Sequence, residues 1–176
     1  MARATVPLRE ARVVIRLAKI ACVGAVALFM ALVAFGNVTD YGTNFAYVTH
    51  VLDMDEIPAG ATIRWRAATS PALHQLAYLA IIAAEIAIFA LTGLGVLMMI
   101  RSLRAEARSF QRAKSLAILG LALGFLLFEG GFIAVAGEWF GMWRSSGADA
   151  EQSAFRIAIT MLGVLIFVSL KDEDAA

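Results

Sequence analysis

The sequence predicts an all-α protein, a four-helix transmembrane bundle with its amino and carboxyl termini in the cytoplasm. Three observations carry that prediction. The 176 residues are 61% hydrophobic and only 16% charged, where a soluble domain is about half apolar and about a quarter charged. Four stretches with few or no charges, about residues 18–39, 71–100, 115–137 and 150–170, can each cross about 30 Å of hydrocarbon. Lysine and arginine alternate in density: the amino terminus, the 101–114 loop and the tail hold eleven, whereas the two intervening loops with Arg156 hold four. The positive-inside rule therefore puts both ends on the cytoplasmic side. Backbone polar groups find no water at membrane depth, so each span must be a helix.

The first element starts from a basic segment, with Arg3, Arg9, Arg12, Arg16 and Lys19 against Glu10, followed by the uncharged run Ile20–Thr39. That run exceeds the 7–15 residues usual for a signal peptide and lacks a clear A-x-A cleavage site, so it reads as an uncleaved membrane helix. Residues 40–70 are the longest polar connection. Within it Tyr41, Phe45, Val48 and Leu52 recur at helical spacing, which predicts a short helix lying in the interface. Pro58 and Gly60 then break the chain. The second span opens at Ser70-Pro71, a capping hydroxyl followed by a proline at the first helical position. A short basic loop leads to the third span, interrupted only by Glu129. After the loop 138–149, Asp149 and Gln152 resemble a capping box that opens the fourth. The chain is thus read as one membrane domain spanning residues 1–176.

Composition excludes several chemistries. The single cysteine, Cys22, rules out an intramolecular disulfide, a CxxC redox pair or a thiolate cage. No phosphate-binding loop occurs, and no ligand spacing supports a metal site from His50, His74 or Asp53. The expectation is a non-enzymatic protein without cofactor or metal and without nucleic-acid binding. Its expected partners are the lipid bilayer and a membrane protein or a second copy.

Four kinds of candidate site remain. His74 and Glu85 lie eleven positions and about 20° apart on a helical wheel, with Tyr78 and Thr92 near the same line. This polar stripe is either a proton relay or a set of structural hydrogen bonds, since an ionisable residue at membrane depth is a functional-site hypothesis by default. Glu85 and Glu129 sit at similar depth and are expected either to share a proton across the bundle or to bond neighbouring helices singly. On the outer side Trp65, Trp139 and Trp143 gather with Asn37, Asp40, Tyr41, Asn44, Arg66 and Glu138. The alternatives there are an aromatic belt and a packed cap that serves as a docking surface, with Arg66 pairing Asp40 or Glu138. Finally, Gly120, Gly124 and Gly131 share one face of the third span. That face either seeks an outside partner or packs on small residues of the first span.

Together Asn37-Val38-Thr39-Asp40-Tyr41, Asn44-Phe45, Trp65-Arg66, Ser70-Pro71-Ala72-Leu73-His74, Glu85, Gly124-Phe125-Leu126 and Gly137-Glu138-Trp139-Phe140 with Trp143 resemble the bacterial predicted small integral membrane protein family, a domain of unknown function. The likeness runs from about residue 13 to 170 and implies a four-span bacterial inner-membrane protein; it adds no catalytic residue to the reading. The leading expectation is an accessory or interaction protein of that membrane. The alternative is a proton-coupled small carrier using Glu85 and Glu129.

Overall fold

The computed structural model describes residues 8–172, and no strand occurs among them. Four helices are long and apolar enough to cross a membrane. The first is α1 (Leu8–Thr39) and the second α3 (Pro71–Arg101). The third is compound: α4 (Ala107–Ala113), α5 (Ser115–Phe125) and a π-helical segment (Leu126–Trp139). The fourth is α6 (Glu151–Ser169). α1 packs on α3, α3 on α5, α5 on α6, and α6 returns to α1. Sequential spans are therefore neighbours, and the four close into a ring.

Val23, Met30, Ile88, Leu121, Ala158 and Met161 fill the centre of that ring. Leu32, Phe35, Leu76, Leu94, Leu119 and Ile166 point outward and are exposed. A soluble bundle would hide such residues, whereas hydrocarbon accepts them.

The short helix predicted within the 40–70 connection exists as α2 (Tyr41–Asp53). It stops at Met54, whose left-handed φ of 53° turns the chain while its side chain is buried. Met54 belongs to a second apolar cluster with Val51, Ile57, Phe140, Met142 and Ala148. That cluster joins α2 to the 140–150 loop and makes a cap over the long-loop end of the bundle. Gly141 anchors one side of it at φ +68°, where a Cβ would lie 3.0 Å from Ile63 Cδ1. The left-handed backbone and the close neighbour both favour glycine there.

Two helix starts differ in detail from the sequence reading. Ser70 occupies the N-cap of α3 with Pro71 behind it, but its hydroxyl makes no capping bond; its carbonyl instead accepts from the N–H groups of Leu73 and His74. At α6, Asp149 Oδ1 accepts from Glu151 N at 3.0 Å. The N-cap residue is Ala150 and no reciprocal side-chain cap forms, so the capping box is half built.

The glycine face of the third span needs correction. Gly120 and Gly124 point neither outward nor at the first span. A Cβ on Gly120 would meet Thr92 Cγ2 at 2.8 Å, and one on Gly124 would meet Met161 Sδ at 3.1 Å, so the pair faces α3 and α6. Across the same seam a Cβ on Gly95 would lie 2.6 Å from the backbone nitrogen of Ala117. Gly131 takes no part; the nearest atom to its Cβ position is Leu127 Cδ1 at 3.8 Å. The reason is the change of helix type at Leu126. π-Helical i→i+5 bonding widens each turn, so a wheel drawn for an α-helix loses its register beyond that residue.

Candidate functional site

The polar stripe of α3 faces inward: His74, Tyr78, Glu85 and Thr92 are all buried. Its main partner is Asn37, two residues before the end of α1. Asn37 Nδ2 donates to both carboxyl oxygens of Glu85 at 2.8 Å, and the Tyr78 hydroxyl donates to Asn37 O at 2.8 Å. Tyr41, at the start of α2, sets its ring edge-on to Tyr78 with centroids 4.8 Å apart, and Gln75 donates to its hydroxyl. Phe45 packs beside them. Thr92 bonds back to Ile88 O at 2.6 Å, inside its own helix. The result is a seam of hydrogen bonds between α1 and α3, roofed by α2.

His74 belongs to the roof. Its Nε2 donates to Ala68 O at 2.6 Å and lies 3.2 Å from Asp53 Oδ1 without a hydrogen bond to it. The ring thereby fastens the end of α2 and the loop to the start of α3. His50 pairs with Asp55 through Nδ1 at 2.8 Å on the exposed side of α2. Hydrogen bonding to Asp55 raises the His50 pKa above its ordinary 6.5, against a smaller opposing effect of burial.

Glu129 is half-buried on the π-helical segment, and the hydrogen bonds of Glu85 run to Asn37 rather than to it. The two glutamates were matched by depth alone, and the π-helix begins three residues before Glu129.

The expected ion pair of Arg66 also needs correction. Its Nη1 donates to the carbonyls of Glu138 and Trp139 at 3.4 and 3.3 Å. The guanidinium lies 4.9 Å from the Trp139 ring and 5.5 Å from that of Trp65. No carboxylate of Asp40 or Glu138 forms a salt bridge with it. Asp40 is exposed and uses its carbonyl to accept from Asn44 Nδ2 at 3.0 Å. The last carbonyls of a helix lack intrahelical donors, and at the end of the π-segment Arg66 supplies them. Trp65 is 73% exposed, while Trp139 and Trp143 are about half exposed; Arg144 stacks on Trp143 at 4.6 Å.

Tyr47 fastens the cap from below, donating to Ala148 O at 2.5 Å. Burial first, then the charges of Asp149 and Glu56, push its pKa up to about 12, so the phenol remains a donor. Beneath this cap α3 and the π-segment separate. The gap is a cavity of about 200 Å³ whose walls include Ala77 and Ile81 of α3 and Leu127, Phe132 and Ala136 of the π-segment.

At the opposite end lies a cluster that sequence reasoning missed. Arg16, Lys19 and Lys114 are buried around Asp172, whose carboxylate accepts from Lys19 Nζ at 3.0 Å and Lys114 Nζ at 2.7 Å. Both amines also donate to Leu170 O. Arg16 donates to Leu103 O and Ala105 O and lies 4.5 Å from the Phe110 ring. Burial acts to raise the Asp172 pKa, but the hydrogen bonds from Lys114 and Lys19 outweigh it and hold the group below its ordinary value. In the sequence these cations enter only the charge asymmetry between the loops. The available signal was their position, since Lys19 and Lys114 border apolar spans directly.

Among the described residues no group of three or more His, Cys, Asp and Glu side chains is arranged to hold a metal ion. Four helices long and apolar enough to span, packed around an apolar core, define an integral membrane protein. The chain belongs to the family described as predicted small integral membrane protein (DUF2165), which it matches over residues 15–171. No curated protein and no solved structure matches it.

Proposed function

We propose that this chain is a non-enzymatic interaction protein of the bacterial inner membrane, with both termini cytoplasmic and its contact surface on the outer cap. The observation that carries this reading is the cap itself. It has its own apolar cluster and holds Trp65, Trp139 and Trp143 in exposed positions that closing the bundle does not require. Tryptophan and arginine dominate the energetics of protein contacts, and here Arg66 braces two of the three indoles. The carrier alternative requires Glu85 and Glu129 to share a proton, and the pairing of Glu85 with Asn37 gives it no support.

The test is mass spectrometry of intact complexes after purification in a mild detergent at native expression level. Stoichiometric recovery with a second membrane protein is expected. Replacing Trp65, Trp139 and Trp143 together by alanine should abolish that recovery while the thermal midpoint stays within a few degrees. Recovery of the wild-type chain alone would overturn the reading.

A further inference from the structure

We propose that the cavity between α3 and the π-helical segment binds one acyl chain of a membrane phospholipid, whose phosphate is held by Arg66. Three observations lead there, and none depends on a protein partner. The first is depth. Ala77 and Ile81 lie six and ten residues into α3, or about 9–15 Å from its start at about 1.5 Å per residue. The gap therefore opens within the hydrocarbon of the leaflet on the long-loop side.

The second is chemistry and size. The walls are alkyl and aromatic, and the one phenol among them, Tyr47, is turned to Ala148 O. Water needs two to four polar partners in a cavity and finds none there. A space of about 200 Å³ is too narrow for a helix about 10–12 Å across with its side chains. A stretch of hydrocarbon chain fits it. Two small residues, Ala77 and Ala136, and the bare backbone of Gly131 keep the space open.

The third is charge. Arg66 does not line the cavity, but its Nη1 donates at 3.3 Å to the carbonyl of Trp139, the chain neighbour of the wall residue Phe140. Its loop continues to Ala68, whose N–H donates to Leu52 O on the roof. Among the described residues the guanidinium has no carboxylate partner, and its Nε is buried without a hydrogen bond. A cation left without a counter-ion beside an apolar slot matches a phosphate carried on an acyl chain. Arg binds phosphate well because its planar fork supplies several donors.

The experiment reconstitutes the full chain in vesicles of phosphatidylethanolamine and phosphatidylglycerol containing a trace of phosphatidylethanolamine with a diazirine in its acyl chain. Photolysis and peptide mass spectrometry should concentrate the label on Ala77, Ile81, Leu127 and Phe132, above outward residues such as Leu94 and Ile166. Intact-protein mass spectrometry should retain one phospholipid per chain. Arg66→Gln should lower that occupancy about tenfold or more, the loss of hydrogen bonds to a charged group. Ala136→Phe should abolish the wall labelling, and Leu94→Phe should leave both readouts unchanged. Even labelling of all lipid-facing residues in the wild-type chain would overturn the proposal, whether or not the Ala136 variant folds. So would retained phospholipid in Arg66→Gln, because a slot filled by detergent or by any alkyl chain would not need the guanidinium.

Discussion

Glu85 is the residue on which the sequence spoke most plainly, whereas Asn37, grouped by sequence with the outer-face residues, is bonded to Glu85 inside the bundle. A carboxyl in an apolar helix must face the interior, and its buried position between α1 and α3 follows directly. Its partner was not legible, because an asparagine near a span end is equally at home in the interface. Nothing in a single chain says which helices touch. The pairing is testable. Among the described residues Asn37 is the only hydrogen-bond donor to the buried Glu85 carboxyl, and Asn37→Ala, by leaving such a group unsatisfied, costs about 1–3 kcal/mol. Thermal unfolding in detergent should show that loss, and a double-mutant cycle with Glu85→Ala should give a positive coupling energy. Glu85→Gln keeps an acceptor oxygen and should be milder than Glu85→Ala. Strict additivity of Asn37→Ala and Glu85→Ala would show that the contact does not support the fold.

Element boundaries were legible where punctuation is strong, as at Pro71, and at α2, whose apolar spacing is regular. The π-helical segment was not. Its composition of leucine, phenylalanine, glycine and alanine suits any membrane helix, and i→i+5 bonding leaves no mark in periodicity over so short a run. That is why Gly120 and Gly124 behave as packing glycines while Gly131 does not. The seam itself makes a prediction at this scale. A methyl group at Gly95 meets Ala117 backbone at 2.6–2.8 Å, and backbone cannot rotate away. Gly95→Ala should therefore destabilise the bundle by about 1–3 kcal/mol, the usual effect of overpacking. Gly163→Ala, with nothing within 4 Å of its Cβ position, should be neutral or slightly stabilising. Equal thermal midpoints for the two variants would refute the close contact of α3 with α5.

For the molecule as a whole, class and span number followed from hydropathy alone, whereas the tie at the termini end did not. Charges that topology rules assign to solvent are here buried around Asp172. Removing one partner of a buried ion pair costs about 3–5 kcal/mol, so Asp172→Asn should lower the thermal midpoint more than any substitution in the exposed loops. The pH dependence has a definite sign. Because the folded group titrates below its ordinary 3.8, its contribution is complete above that value and is lost as pH falls below it. Unfolding curves of the wild type and Asp172→Asn should therefore converge in strong acid; parallel curves across that range would refute the assignment.

The position of Asp172 in the chain also bears on how the bundle is made. Arg16 and Lys19 leave the ribosome first and Lys114 well before the fourth span, yet the carboxylate that neutralises them is synthesised after all four helices. Until then those cations must remain in water or against lipid phosphates. The ends of α1 and α5 that carry these cations are thus kept at the surface during insertion, and the bundle locks at that end only when synthesis reaches the tail.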